Sequence, residues 1–227
     1  MTFAEQVLQF SLSLRPDWQL PPGFELLFPY AQPETIRVMT AFYEQFYADQ
    51  EPRVFIFGIN PGRFGAGVTG VPFTDPIRLE QSCGIQNDFA KKSELSSVFV
   101  YECIEAFGGL AAFYRHFYIT SLCPLGFVKS GININYYDDK SLQNAVAPHI
   151  LENINRQKTF GASEKVAICL GQGKNAAYFR KINAVHHFFE SILEVPHPRW
   201  VMQYRRKKMA DFVSQYIEVL NKALSVA

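Results

Sequence analysis

The sequence predicts an α/β fold, a single domain over residues 1–227. It should have three layers, α/β/α, around a short, mainly parallel four-stranded central sheet, with helices within residues 1–50 packed on it. Three observations predict this. Short β-branched and aromatic runs alternate with longer helical patterns, as in parallel strands joined by crossover helices. The strand-like runs are apolar throughout rather than alternating, which suits strands covered on both faces. And 227 residues with 48% apolar side chains suffice for one core.

Thr2 to Leu14 and Glu34 to Asp49 read as helices, the second with Pro33 at its start, where a missing N–H is no loss. Arg53 to Ile59 is the first strand, after which Gly58, Pro61, Gly62, Gly65, Gly67 and Gly70 forbid regular structure. A helix from Ser96 to Phe107 is stopped by Gly108-Gly109, and Phe117 to Leu122 is the second strand. Ser141 to Gln157 is helical, with a kink or break expected at Pro148. Lys165 to Leu170, Asn175 to Phe189 and Ser191 to Val195 then read as strand, helix and fourth strand, and a last helix runs from Val201 to Leu224. The first, second and fourth strands therefore deliver Asn60, Ser121 and His197 at their C-terminal ends, where open α/β sheets bind ligands.

The net charge is +1, from 22 basic and 21 acidic side chains, so the chain is no polycation. Its basic residues are concentrated in one place: Arg199, Arg205, Arg206, Lys207 and Lys208 lie together with no acidic residue among them. Such a run is a solvated helix face or a phosphate contact, and its place beside His197 favours phosphate. Cys83, Cys103, Cys123 and Cys169 lie far apart without a C-x-x-C pair, which argues for buried free thiols over a zinc ribbon or a disulfide scaffold. The N-terminus lacks a basic n-region and no apolar run approaches the length of a bilayer, so a soluble intracellular protein with no membrane partner is expected. Gly171-Gln172-Gly173-Lys174-Asn175 lacks the earlier glycine and the hydroxyl residue of a phosphate loop, so no nucleotide cofactor is expected. His186-His187 lack the i, i+4 partner of a metal pair, and Asp138-Asp139 read as a helix start.

Gly58-Ile59-Asn60-Pro61-Gly62, Phe64-Gly65 and Thr69-Gly70-Val71-Pro72-Phe73 resemble the first active-site motif of the uracil-DNA glycosylase superfamily, most like its single-strand-selective monofunctional branch. Val195-Pro196-His197-Pro198-Arg199 resembles the second motif. Ser121-Leu122-Cys123-Pro124-Leu125 and Ser130-Gly131-Ile132-Asn133 resemble the central pocket segment. The resemblance implies a uracil-DNA glycosylase-like fold and a monofunctional enzyme of base excision repair. Such an enzyme flips uracil or a related damaged base out of DNA and hydrolyses its N-glycosidic bond, without a metal or organic cofactor. DNA would be the partner of a monomer, at the nucleoid in a bacterium. Asn60 and His197 are implied as catalytic, Ile59, Gly62, Phe73, Ser121 and Asn133 as the base pocket, and Arg199, Trp200, Arg205, Arg206 and Lys208 as DNA contacts.

Several residues depart from the family pattern. Some glycosylases carry an aspartate at the position of Asn60. An amide cannot take a proton, so Asn60 would orient the water while a dissociative reaction builds positive charge on the sugar. His197 would donate a hydrogen bond to the base oxygen that gains negative charge. Gly62 replaces a bulky aromatic that guards the pyrimidine 5-position, which leaves room for a 5-substituent. Ser121 stands where the nearest branch has an asparagine reading the Watson-Crick edge, so it needs a water or Asn133 to complete recognition. The second motif is short, and Arg199, Trp200 or Met202 is the side chain that fills the vacated stack, unless Trp200 anchors the last helix. No lysine lies in the motif loops before the His-Pro, which disfavours an imine intermediate. The alternatives are a catalytically silent nucleic-acid-binding module and a hydrolase of small nucleosides.

Overall fold

The computed structural model describes residues 1–227. The chain runs α1 (Phe3–Ser13), β1 (Glu25–Leu27), a 3-10 turn (Pro29–Ala31), α2 (Pro33–Phe46), β2 (Arg53–Gly58), α3 (Ala66–Thr69) and α4 (Pro76–Gln81). It continues through α5 (Leu95–Phe107), α6 (Leu110–His116), β3 (Phe117–Ser121), β4 (Gly126–Lys129), β5 (Ile132–Ile134), α7 (Lys140–Lys158) and β6 (Ala162–Leu170). Last come α8 (Lys174–His186), β7 (Ser191–Val195), α9 (Pro198–Tyr204), a second 3-10 turn (Arg206–Lys208) and α10 (Met209–Val226).

The central sheet has the order β3-β2-β6-β7, every pair parallel, with all six residues of β2 buried. Alternate side chains of β2 serve opposite layers, as the two-residue period of a strand requires. Phe55 packs edge-on against Phe3 of α1 and Tyr118 of β3, and Phe57 against Phe179 of α8. Ile56 points to the other side, where it lines one small apolar void with Val100 of α5 and with Tyr216 and Leu220 of α10. The expected α/β/α layering thus follows from the apolar strands, and 55 buried residues form one connected core. Residues 1–50 join it through α1, whose start is closed by a capping box between Thr2 and Glu5, and through Tyr47, stacked on Phe3.

The differences from expectation lie at the short elements. β1, β4 and β5 form a second, antiparallel sheet of three- and four-residue strands, too short to show a period in the sequence. A new helix, α6, starts immediately after the expected stop at Gly108-Gly109. α7 continues through Pro148, because that residue is exposed and the carbonyl left unpaired, on exposed Asn144, faces water. α8 ends at His186, where His187 turns left-handed (φ 51°) and Asn183 exchanges two hydrogen bonds with the Phe189 backbone. The last helix is split. α9 stops at Arg205, a 3-10 turn carries Arg206, Lys207 and Lys208, and α10 follows, so the like charges are not carried on one continuous helix. No single helix is long and apolar enough to cross a membrane.

Candidate active site

Beyond their last strand residues β2 and β3 remain tied. The Leu122 N–H donates to the Gly58 carbonyl and the Cys123 N–H to that of Ile59, each at 3.1 Å. This fixes Ser121 beside Gly58. A Cβ on Gly58 would lie 2.8 Å from the Phe73 ring and 3.4 Å from Ser121 Oγ, so only glycine lets that ring rest on the strand end. Phe73 itself has φ 53°, an uncommon value for a bulky residue, and its turn is fastened on both sides. Thr69 Oγ1 donates to the Thr74 carbonyl (2.7 Å) and accepts from the Val71 N–H (3.2 Å), while Asp75 Oδ1 caps α4 through the N–H groups of Ile77 and Arg78. The Ser121 hydroxyl has no protein hydrogen-bond partner and stands free beside the Phe73 ring.

Asn60 is held by the chain that follows β5. Its Oδ1 accepts from the Tyr136 N–H at 3.0 Å, and its Nδ2 donates to the carbonyls of Ile134 and Pro61, both at 3.3 Å. That pattern fixes the amide's orientation and leaves one lone pair of Oδ1 open.

His197 is the N-cap of α9, and its Nδ1 accepts the Arg199 N–H at 3.1 Å. In a neutral imidazole the proton then sits on Nε2, which has no protein partner. The ring is half-buried by surface area but enclosed by protein behind the cleft. That burial, and then the neighbouring Arg199 guanidinium, lower its pKa to about 4. The ring centre lies 6.1 Å from that of Phe73. Behind it the Tyr216 hydroxyl donates to the Pro196 carbonyl, and the Gly171 N–H donates to Val195 at 2.8 Å.

Gly62 does not border open space. A Cβ there would come within 2.9 Å of Glu94 Oε1 and 3.4 Å of Asn133 Nδ2, and one on Gly65 would collide with Glu94 Oε2. A carboxyl group thus fills the room that the sequence assigned to a base substituent. Burial pushes the Glu94 carboxyl up, opposed by the Ser97 hydroxyl, reinforced by Asp75 and opposed again by Arg199. Asn133 Oδ1 accepts from the Arg63 N–H at 3.3 Å, which ties the hairpin to the first motif.

Two clefts meet at Arg199. One, of about 480 Å³, is lined by Ile59, Tyr137, Gln172, Asn175, His197 and Trp200 among others, and the other, of about 310 Å³, by Arg63, Glu94 and Asn133. The first falls in the size range of small-ligand sites. Neither is lined by a lysine. Of the expected DNA contacts, Arg199, Arg205, Arg206 and Lys208 are exposed and none is in an ion pair. Trp200 packs edge-on against Phe212 of α10 with the Arg205 guanidinium 5.2 Å from its ring centre. Met202 is 4% exposed and packs into the core, which removes it as a side chain that enters a base stack. All four cysteines are free and buried.

Sequence reasoning missed Glu94, Gln172, Asn175 and Tyr136. The Gly171–Asn175 turn, read only as a failed phosphate loop, forms a wall of the larger cleft, and buried Asn175 accepts from the Tyr136 hydroxyl at 2.8 Å. Its place directly after a strand was the signal available. Glu94 carried none, since its role arises from a contact between segments about thirty residues apart in the chain.

The family model described as the uracil DNA glycosylase superfamily matches residues 44–221. Among solved structures, the crystal structure of wild-type SMUG2 from Pedobacter heparinus is similar to this chain. The two are 44% identical over 99% of each chain, with a TM-score of 0.95. No match was found among curated proteins.

Proposed function

This chain belongs to the uracil DNA glycosylase superfamily, and on that premise we propose that it hydrolyses the N-glycosidic bond of uracil, or a related damaged base, flipped from DNA. The extruded base stacks on Phe73, with Ile59 and Gly62 at its border and with the Ser121 hydroxyl and the Asn133 amide reading its edge. As the C1′–N bond breaks, its electron pair moves into the base and collects on a carbonyl oxygen of the base. His197 Nε2–H donates a hydrogen bond there and keeps its proton. Asn60 Oδ1 holds a water with its open lone pair. The water oxygen bonds to C1′ of the sugar cation, and its proton passes to solvent or to the departing base. The lack of a lysine in the cleft linings supports hydrolysis over imine formation.

The observation that carries the reading is the Nδ1 contact of His197 with the Arg199 N–H, which leaves a neutral imidazole with an outward donor at a strand end. Arg199, Trp200, Arg205, Arg206 and Lys208 take the DNA backbone on the rim. The residues assigned to the site all come from one chain, which supports action as a monomer, in the intracellular compartment that holds DNA. The test is release of free uracil from a uracil-containing oligonucleotide, compared with release from deoxyuridine. Uracil from the oligonucleotide alone is expected. Binding without release marks a silent nucleic-acid-binding module, and equal turnover of deoxyuridine marks a nucleoside hydrolase.

A further inference from the structure

The β4–β5 hairpin ends in Ser130 and Gly131, both with positive φ (52° and 74°), a tight turn that projects the tip outward. Immediately after it Ile132 is 65% exposed, a large aliphatic side chain with no packing role of its own. A lone exposed apolar residue is ordinary. This one lines the smaller cleft with Glu94, Asn133 and Arg199, and Arg199 also borders the His197 cleft. Next to it, exposed Leu95 and half-buried Phe64 extend the apolar strip, and Arg63, Lys92 and Arg199 rim it, none of them in an ion pair, with the Glu94 carboxyl as the one acidic group in the lining. An apolar projection ringed by free cations is complementary to a base stack between phosphates.

The hairpin is also coupled to the catalytic loop along its length. Arg63 Nη1 donates to the Gly131 carbonyl, the Arg63 N–H to Asn133, and Asn60 to Ile134. Of the other candidates for this task, Met202 is committed to the core and Trp200 packs edge-on against Phe212, while Arg199 stays exposed on the rim, where its charge suits a phosphate rather than a base stack.

We propose that Ile132 is the wedge that enters the DNA stack and occupies the place of the flipped nucleotide, with the Ser130-Gly131 turn as its mount. The proposal rests on the glycosylase reading above. A wedge offsets lost stacking, so it matters in a duplex and little in a single strand, where the base is already unstacked. The test is single-turnover uracil excision by the full chain from a single strand, from a U:G duplex and from a U:A duplex. Ile132→Ala should lose about tenfold on U:A, less on the weaker U:G pair, and less than twofold on the single strand. Ile132→Leu should restore the duplex rate and Ile132→Asn should not, a pattern that a change in folding would not produce. Equal losses on all three substrates would overturn the proposal, as would a duplex-specific loss in Trp200→Ala but not in Ile132→Ala. So would a wild-type enzyme that excises from single strands but not from U:A, since a wedge would then have no stack to open. Absence of release from every substrate would instead fail the glycosylase reading itself.

Discussion

At its N-terminal end β2 buries a charge, and at its C-terminal end it presents an amide to a cleft. Arg53 is 1% exposed, and four of its five guanidinium N–H groups donate within the protein. Nε donates to the Tyr114 carbonyl at 2.8 Å, Nη1 to Asp49 and the Glu51 carbonyl, and Nη2 to Asp49, each at 2.9 Å, beside the stacked rings of Phe3 and Tyr47. Around Asn60, by contrast, capacity is left over. One lone pair of its Oδ1, the Ser121 hydroxyl, one amide group of Asn133 and His197 Nε2 have no protein partner. Both ends are polar and both are ordered. The difference is that the first end spends nearly all its hydrogen-bonding capacity on the fold, and the second leaves several groups open to the cleft.

That contrast breaks most sharply at the catalytic end. His197→Ala should lower single-turnover excision by ~100-fold or more, the usual loss for a donor to developing charge, and Asn60→Ala, which loses the acceptor that positions the water, by about as much. Their melting temperatures should stay close to wild type, and a near-wild-type rate in either would remove that residue from the mechanism. The His197 ring should also remain neutral in an NMR titration from pH 8 down to 5 and charge only near pH 4. Its depressed pKa means that the unfolded chain binds more protons than the folded one between about pH 4 and the ordinary histidine value of 6.5, so stability decreases as pH is lowered through that window and rises as pH is raised.

The opposite variant acts at the other end. Arg53→Ala should cost about 3 kcal/mol in urea denaturation, because the Tyr114 and Glu51 carbonyls lose their donor and a large buried side chain is removed from its packing, while the folded fraction keeps its excision rate. Arg53 holds the Asp49 carboxyl below the usual range, so the pair's contribution is present above the ordinary aspartate pKa and is lost as pH falls through the lowered one. Asp49→Asn should flatten that acid-side loss.

A smaller effect sharpens the account of the pocket wall. Gly62→Ala should reduce excision about tenfold because the added carbon meets Glu94, an overpacking effect of ~1–3 kcal/mol. Glu94→Ala in the same chain should recover most of it, and a double-mutant cycle reads the coupling. Purely additive losses would show that the carboxyl is not what the glycine accommodates. The smallest effect is on the rim. Arg205 and Lys208 are three apart across a 3-10 turn, a spacing that eclipses side chains, so they share a face more closely than on an α-helix. Arg205→Gln with Lys208→Gln should flatten the slope of log affinity against log salt by more than ~1 unit, since each phosphate contact contributes about 0.7 on single strands and 0.9 on duplex. Uracil-containing and undamaged strands should be affected alike.

The strands that carry the site were legible because they are continuous apolar runs ending in turn residues: Arg53 to Gly58, Phe117 to Ser121 and Ser191 to Val195 could be read almost to the residue. The short hairpin sheet could not, because three residues hold no period. The split of the last helix was hidden because Val201 to Leu224 has one helical pattern on both sides of the basic run. At the site, Asn60, Phe73 and His197 were legible from local motifs. Glu94 was not, and its absence led to a wrong picture of the space beside Gly62. A glycine tells that something approaches the backbone, and here the close neighbour turned out to be a carboxyl of the protein's own chain.

The hydrogen bond from the Arg199 N–H to His197 has one further consequence, for the cycle as a whole. In the proposed reaction neither the amide of Asn60 nor an imidazole so fixed changes its protonation. The enzyme therefore leaves each round in the ionic state in which it entered, and no proton has to be returned before the next lesion is met. Recovery reduces to letting go of a base and a strand, which makes the grip on the product, rather than any recharging of the catalyst, the setting for its pace over repeated rounds.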